Sequence, residues 1–231
     1  MLKEIDIHRN YIVRILKDIY TNPEISPILG FKGGTAAYLL YGLGRFSVDI
    51  DLDLLNQEKA EIVFGLLEKI LKNYGALKEN HKKKNTIFYM VSYAEETQNI
   101  KVEISTRNFN SKYELKNFLG LSLNVMVKED MFAHKLVALY ERKGKSARDI
   151  FDVNYFLKCN WGFNEDIIKT RTGLKTKEFI GKCIKIVKDK SSRNLLAGIG
   201  ELLTPEKKEW VKRNLISDTV FLMENLKSQV R

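Results

Sequence analysis

Few residues of this sequence are cysteine or proline, and long apolar runs are absent. Its two cysteines, Cys159 and Cys183, are too few and too far apart for a metal cage or a redox motif, so we expect buried thiols of a reducing compartment. No apolar stretch approaches the roughly 18 residues of a membrane span. The first residues carry charges where a secretory signal needs an apolar core. These absences predict a cytoplasmic protein with no membrane partner.

Acidic residues are also in the minority, and the basic surplus is unevenly distributed. The chain has 39 Lys and Arg against 29 Asp and Glu, a net charge of +10; residues 166–231 alone hold 15 basic and 8 acidic side chains. A basic region can attract phosphate backbones or acidic membranes. A lysine-rich but merely soluble helical region would have the same charge. At 44% apolar residues the composition indicates a folded globular protein and excludes disorder.

The apolar pattern predicts an α+β fold. Up to residue 125 helices and strands are mixed; the expected helices are 2–20, 36–43 and 58–74, and the expected strands are 28–31, 45–54, 86–93 and 99–105. After residue 128 the pattern is helical throughout, with expected helices at 129–142, 146–158, 164–171, 176–187, 191–203 and 205–227. We therefore predict a small mixed β-sheet packed with helices over residues 1–125, followed by a helical, basic domain over 126–231.

Polar and apolar residues alternate from Arg45 to Leu54, which predicts a half-buried strand. Its polar face carries Arg45, Ser47, Asp49, Asp51 and Asp53. Neighbouring carboxylates repel each other, and Mg²⁺, which prefers oxygen ligands, removes that repulsion. An acidic edge strand that resists aggregation is the structural alternative.

A glycine turn precedes this strand and changes the balance between the two interpretations. Gly33, Gly34 and Thr35 stand between the expected strand at 28–31 and the helix at 36–43. Without side chains at positions 33 and 34, backbone amides can approach a phosphate closely, and the helix adds its positive N-terminal end. The combination favours phosphate chemistry with Mg²⁺ over an edge strand.

A third carboxylate is available on the expected strand at 99–105. Lys101, Glu103 and Ser105 share one face of it, and apolar residues occupy the other. If this strand lies beside the strand of Asp49 and Asp51, Glu103 can complete a two-metal site or deprotonate an attacking hydroxyl. A lone exposed glutamate is the alternative.

These motifs resemble those of the DNA-polymerase-β-type nucleotidyltransferase superfamily. The resemblance rests on Gly33-Gly34-Thr35, on Arg45-x-Ser47-x-Asp49-x-Asp51 and on Glu103. Within that superfamily, residues 31–54, 133–136 (Ala-His-Lys-Leu) and 148–152 (Arg-Asp-Ile-Phe-Asp) resemble the AbiEii/AbiGii toxins of type IV toxin–antitoxin systems. The similarity covers about residues 25–158, and Thr35 stands where the superfamily signature has serine.

The resemblance implies a division of roles among these residues. Two Mg²⁺ ions would be held by Asp49, Asp51 and Glu103. The NTP would be bound by Gly33, Gly34, Thr35, Arg45, Ser47 and Lys135. Functional roles would also fall on Lys135 and on Asp149 or Asp152 in the helical half.

The helical residues have physical interpretations of their own. Lys135 lies in an apolar stretch, where its charge can face triphosphate oxygens or reach to the edge of the apolar face. Ser146 and Asp149 have the spacing of a capping box, a structural explanation for Asp149. Asp152 lies among apolar residues and needs a partner, for which Lys135 or Arg148 would serve.

The implied activity is Mg²⁺-dependent transfer of a nucleoside monophosphate from an NTP to RNA, with the tRNA 3′ end as the leading acceptor and an antitoxin as partner. A small molecule or a protein side chain as acceptor is one alternative, and a non-catalytic nucleic-acid-binding module is another. The basic second half favours RNA over a small cationic acceptor.

Overall fold

The computed structural model describes residues 2–93, 98–190 and 195–230. Its helices are α1 (Leu2–Thr21), α2 (Gly33–Tyr41), α3 (Ala60–Lys72), α4 (Lys128–Glu141), α5 (Ala147–Lys158), α6 (Glu165–Thr172), α7 (Thr176–Lys188) and α8 (Pro205–Gln229). Its strands are β1 (Leu29–Lys32), β2 (Ile50–Leu54), β3 (Ala76–Lys83), β4 (Thr86–Tyr93), β5 (Gln98–Ser105), β6 (Tyr113–Phe118) and β7 (Leu121–Met126).

The chain forms two compact units. The first contains the chain up to Gly42 together with Phe46–Asn108 and Lys112–Met126. The second contains the chain from Val127 onward together with two short segments, Leu43–Arg45 and Phe109–Ser111. All seven strands of the described residues therefore belong to the first unit, and α4 to α8 belong to the second.

The first unit is built on one mixed sheet with the strand order β3-β4-β5-β2-β1-β7-β6. The pairs β1–β7 and β2–β5 are parallel, and the other neighbours are antiparallel. Together with the helices, this mixed sheet confirms the α+β fold class.

Burial in β5 follows the alternation of its sequence. Ile100, Val102 and Ile104 are fully buried, whereas Lys101 and Glu103 are exposed. On α1 the residues with helical spacing are buried: Ile12, Ile15, Leu16 and Ile19. The first unit therefore has an apolar core on one side of β5 and presents polar and charged side chains, Glu103 among them, on the other.

Three strands escape the sequence prediction, and one is shorter than predicted. β3 and β6 are the edge strands of the sheet, and their side chains are mostly exposed. Because neither strand has a buried apolar face, its sequence lacks the alternation that predicts a strand. The missed strand β7 lies beside β6. The strand predicted from Arg45 to Leu54 begins only at Ile50, because the preceding residues form a loop.

The second unit is helical, as predicted, with one exception. The helix predicted over 191–203 is wrong in its described part: residues 195–199 form turns, with Gly198 at φ +71°, and Gly200–Leu202 form a short 3₁₀ helix. Residues 191–194 lie outside the described residues. Cys183 is buried, which raises the pKa of its thiol to about 12, but Cys159 is exposed, contrary to expectation. In the described part of the chain no helix has the length and apolar character to cross a membrane.

Candidate functional site

The first unit brings the N-terminus of α2 against the side chain of Asp51. Gly33, the first residue of α2, has φ +77°, a conformation that disfavours residues with a Cβ. A Cβ at this position would lie 3.0 Å from Cγ of Asp51 and closer still to its carboxylate oxygen. Glycine therefore permits both the turn and the close approach of Asp51, with buried Gly34 following in the first turn of the helix.

Asp51 and Glu103 lie side by side on neighbouring strands. They are register partners in the parallel pair β2–β5, so their side chains project from the same face of the sheet. Lys32 at the end of β1 is the partner of Asp51 on its other side. The structure thus places Glu103 where the sequence argument required it, beside the acidic strand.

Asp49 lies just before β2, in a loop that Thr35 holds in place. The Thr35 hydroxyl is fully buried and lies within hydrogen-bonding distance of the backbone oxygen of Asp49 and of Ser47 Oγ, 2.9 Å away. Because these partners occupy the hydroxyls of Thr35 and Ser47, both side chains position the loop. A phosphate at this helix would be bound by backbone amides.

His8 on α1 supports the same loop and was not identified from the sequence. Its Nε2 donates to the backbone oxygen of Val48, 2.8 Å away, and its Nδ1 contacts the hydroxyl of Tyr93. Burial lowers the pKa of His8, although the Val48 carbonyl and the charge of Asp49 act in the opposite direction. The Tyr93 hydroxyl also donates to Gln98 Oε1, 2.7 Å away. Nothing local in the sequence indicates the two contacts of His8, because the partners lie 40 and 85 residues away.

Asp53, the third aspartate of this stretch, has a structural role. Lys32 Nζ lies 2.5 Å from its Oδ1, and the Tyr113 hydroxyl donates to its Oδ2 at 2.5 Å. The ring of Tyr113 reaches this position because Gly30 has no Cβ, which would overlap the ring. With both oxygens engaged and the residue buried, Asp53 ties β1, β2 and β6 together.

The acidic residues suit Mg²⁺ but do not form a closed metal cage. Among the described residues no group of three His, Cys, Asp or Glu side chains is arranged to hold a metal ion. Mg²⁺ commonly uses one or two carboxylates and completes its shell with water and substrate phosphates. The paired carboxylates of Asp51 and Glu103 beside a helix N-terminus fit that mode of binding.

The second unit contains a buried ion pair between Arg45 and Asp152. Arg45 Nε lies 2.6 Å from Asp152 Oδ1 and Nη2 lies 2.7 Å from Oδ2, a bidentate arrangement. The two side chains are 4% and 0% exposed. The prediction that Arg45 projects from a strand together with Asp49 and Asp51 is therefore wrong, because Arg45 precedes β2 and points to α5.

Lys135 on α4 joins this pair to a second carboxylate. Its Nζ lies 3.0 Å from Asp152 Oδ2 and 3.3 Å from Asp149 Oδ1. Burial alone would lower the pKa of Lys135, but the charges of Asp152 and Asp149 outweigh it and raise the pKa. For Asp152, Arg45 and Lys135 outweigh the opposite effect of burial and lower the pKa. Both groups are therefore charged at neutral pH.

Asp149 is part of this network and does not act as a helix cap. Ser146 makes no side-chain capping hydrogen bond at the start of α5, so the capping box expected from the sequence is not formed. Asp149 instead accepts hydrogen bonds from Lys135 and from Arg142 Nη1, the latter at 3.1 Å. The sequence suggested Lys135 or Arg148 as the partner of Asp152. In the structure Asp152 pairs with Lys135 and also with Arg45, which was not expected.

Two of the solved structures that share this fold come from Helicobacter pylori. A candidate nucleotidyltransferase from Helicobacter pylori superposes with a TM-score of 0.61 at 22% identity, over 99% of this chain and 98% of that one. The protein JHP933 from Helicobacter pylori superposes with a TM-score of 0.58 at 22% identity, over 98% and 94%. At this identity the similarity shows the fold alone. A search of curated proteins finds no match.

The sequence also matches a family model, described as the nucleotidyl transferase AbiEii toxin of type IV toxin–antitoxin systems, over residues 14–211. The match covers the β1–α2 turn, the acidic residues of β2 and β5, and the helices of Lys135, Asp149 and Asp152. The chain belongs to the AbiEii family of nucleotidyltransferase toxins.

Proposed function

We propose that this nucleotidyltransferase transfers a nucleoside monophosphate from an NTP to an RNA acceptor in a Mg²⁺-dependent reaction that releases pyrophosphate. The observation that carries the proposal is the register of Asp51 with Glu103 beside the N-terminus of α2. It provides paired acidic ligands next to backbone amides suited to phosphate. We propose the 3′ end of tRNA as the acceptor and expect a cognate antitoxin, as the family resemblance implies.

The first unit supplies the groups that bind the triphosphate. Asp49 and Asp51, with Glu103 as the third carboxylate, would hold two Mg²⁺ ions, which when bound would neutralise charge on the phosphate oxygens. The backbone amides at Gly33, Gly34 and Thr35 would bind the β- and γ-phosphates. Thr35 and His8 act through the loop they hold, by fixing the position of Asp49.

The reaction itself needs little from protein side chains beyond position and charge. The acceptor hydroxyl oxygen forms a bond to the α-phosphorus as the bond from that phosphorus to the bridging oxygen of the β-phosphate breaks. The electron pair of the broken bond leaves with pyrophosphate, and the hydroxyl loses its proton to a base. We propose that Lys135, charged and held by Asp149 and Asp152, contributes positive charge toward the triphosphate.

The test is incubation of the protein with total RNA and each NTP in turn, labelled at the α- or the γ-phosphate, with Mg²⁺ or with a chelator. We expect RNA to acquire label from an α-labelled NTP only, and only with Mg²⁺. Asp51→Asn should abolish both label transfer and growth inhibition while the protein stays folded. Glu79→Gln, an exposed change on β3, is the matched control.

Two results would contradict the proposal. If no α-labelled NTP transfers label to RNA with Mg²⁺ present, the acceptor or the activity is wrong. If Asp51→Asn transfers label as well as the unchanged protein, the metal-ligand assignment is wrong. Salt-sensitive RNA binding without any transfer would instead indicate a non-catalytic binding module.

A further inference from the structure

The second unit has a cleft whose lining is dominated by lysine. It lies between the end of α4, the loop that follows, and α7, and its volume is about 790 Å³. The five lysines that line it are Lys143, Lys145, Lys182, Lys185 and Lys190. Only two acidic residues, Glu141 and Asp189, line it with them.

The charges of this lysine cleft are largely uncompensated. The carboxylate of Glu141 forms an ion pair with Arg171 Nη2, 2.9 Å away, and Arg171 does not line the cleft. Glu141 therefore does not compensate the charge of the cleft lysines. Lys182 pairs with Glu178 at 2.8 Å. The other lysines of the cleft with exposed side chains are Lys143, Lys145 and Lys185. No carboxylate of the described residues lies within ion-pair distance of these three. The cleft thus attracts anions.

The backbone of the loop is shaped to bring its lysines toward α7. Lys143 and Gly144 both have positive φ, +50° and +63°, which turns the chain sharply after α4. A Cβ on Gly144 would lie 2.8 Å from Cγ2 of Ile186, so only glycine allows the loop to pack this closely against α7. The loop lysines and the α7 lysines therefore line one cleft.

We propose that the lysine cleft binds the sugar-phosphate backbone of the RNA acceptor, in a single-stranded segment. Lysine ammonium groups that follow a groove are suited to successive phosphates. Tyr140 lines the same cleft and offers an aromatic ring, and aromatic rings beside lysines are typical of sites for single-stranded nucleic acid. The Tyr140 ring packs on buried Phe179, with 5.4 Å between the ring centroids, which holds it at the cleft. An acidic protein would satisfy the lysines without stacking on this ring. The inference rests on the proposed function, since it names a binding surface for the acceptor.

The experiment measures RNA binding separately from transfer. The full-length protein carrying Asp51→Asn is titrated into a labelled single-stranded RNA without NTP, at several salt concentrations, by fluorescence anisotropy. The cleft variant adds Lys143→Gln, Lys145→Gln and Lys185→Gln to this background. We expect its Kd to rise about tenfold or more, and the slope of log K against log salt to fall in magnitude by about 2, at about 0.7 for each phosphate contact.

The matched control removes the same number of charges from exposed lysines of the same unit that do not line the cleft: Lys169→Gln, Lys175→Gln and Lys177→Gln. It should bind RNA like the Asp51→Asn background. Equal binding by the cleft variant and the background would overturn the inference, as would equal weakening by the cleft and control variants, which would show an effect of net charge alone.

Two further measurements keep the result interpretable. Thermal unfolding checks that the cleft variant is folded. The single change Lys185→Gln, at an exposed helix position, allows RNA binding to be compared with the Asp51→Asn background after a smaller perturbation. Label transfer by the protein without Asp51→Asn tests the proposed function on its own. A protein that transfers label but binds RNA independently of the cleft would retain the proposed function and lose this inference.

Discussion

Arg45 and Asp152 form a bidentate ion pair in the interior of the second unit, although 107 residues separate them in the sequence. The pair fastens the short segment Leu43–Arg45 to α5. Asp152 also contacts Lys135, so one carboxylate pairs with two cations, and Asp149 supplies a second negative charge to Lys135. We conclude that Arg45 stabilises the unit and keeps Asp152 in position to hold Lys135.

Replacing Arg45 should therefore destabilise the protein strongly. Arg45→Ala removes the two hydrogen bonds to Asp152 and leaves that carboxylate with Lys135 on α4 as its remaining ion-pair partner among the described residues. Because loss of one partner of a buried pair typically costs 3–5 kcal/mol, we expect the free energy of unfolding to fall by about 3 kcal/mol. Urea denaturation of the two proteins measures this free energy. Arg9→Ala, an exposed change on α1, should shift it by about 0.5 kcal/mol or less; equal losses in the two variants would contradict the role given to Arg45.

The same network predicts a dependence of stability on acid. The pKa of Asp152 in the folded protein lies below its ordinary value of 3.8, so the unfolded chain takes up a proton first as the pH falls. The charged carboxylate of Asp152 contributes its full stabilisation above pH 3.8. This contribution is lost as the pH falls through the pKa that Asp152 has in the folded protein. The difference in unfolding free energy between the unchanged protein and Asp152→Asn should therefore narrow below pH 3.8.

Denaturation with urea at stepped pH from neutral to about 3 measures this difference. Asp6→Asn, an exposed change on α1, controls for the loss of one carboxylate. If the difference in unfolding free energy between the unchanged protein and Asp152→Asn stays constant across the acid range, Arg45 and Lys135 do not hold the carboxylate in its charged form.

Local pattern predicted most of the helices and four of the seven strands in the described residues, but not the partners of these elements. The alternation in residues 99–105 identified β5 and placed Glu103 on its polar face. The same kind of alternation misled at Arg45, because five residues of loop before β2 happen to alternate as a strand would. Arg45 is buried by a partner 107 residues away, and no local period carries that information.

The candidate site shows the same limit. The sequence identified Asp51 and Glu103 as acids on strand faces, but their pairing depends on strand order, which places β5 beside β2. His8 was missed for the same reason, since its role comes from the packing of α1 against a distant loop. The edge strand β3 was missed because its exposed, polar side chains resemble those of a loop.

Glycine at position 33 should be required for both folding and activity. Gly33→Ala places a Cβ against the Asp51 side chain and forces a residue with a Cβ into φ +77°. We expect the free energy of unfolding to fall by about 1–3 kcal/mol and label transfer to be lost. Gly65→Ala in α3, where a Cβ meets nothing within 4 Å, is the opposite case and should raise stability by about 0.5–1 kcal/mol. A Gly33→Ala protein with normal stability would contradict the close packing of α2 on Asp51.

Glu103 should affect the reaction without affecting the fold. It is exposed on β5, so Glu103→Gln keeps its shape and should leave thermal unfolding unchanged. If it acts beside Asp51, transfer of label from an α-labelled NTP to RNA should fall about 100-fold or more. Lys101→Gln, two residues earlier on the same face and also exposed, is the matched control and should transfer label normally. Equal activity in the two variants would remove Glu103 from the site.

The residual activity of Glu103→Gln then separates two roles for the carboxylate. A variant that has lost a Mg²⁺ ligand binds the ion more weakly, so higher Mg²⁺ should restore part of the rate. A variant that has lost the base for the acceptor hydroxyl should not respond to Mg²⁺, and its rate should instead rise with pH as hydroxide replaces the base. Because Asp51 is the register partner of Glu103, we expect recovery with Mg²⁺ for Glu103→Gln and a larger loss with less recovery for Asp51→Asn.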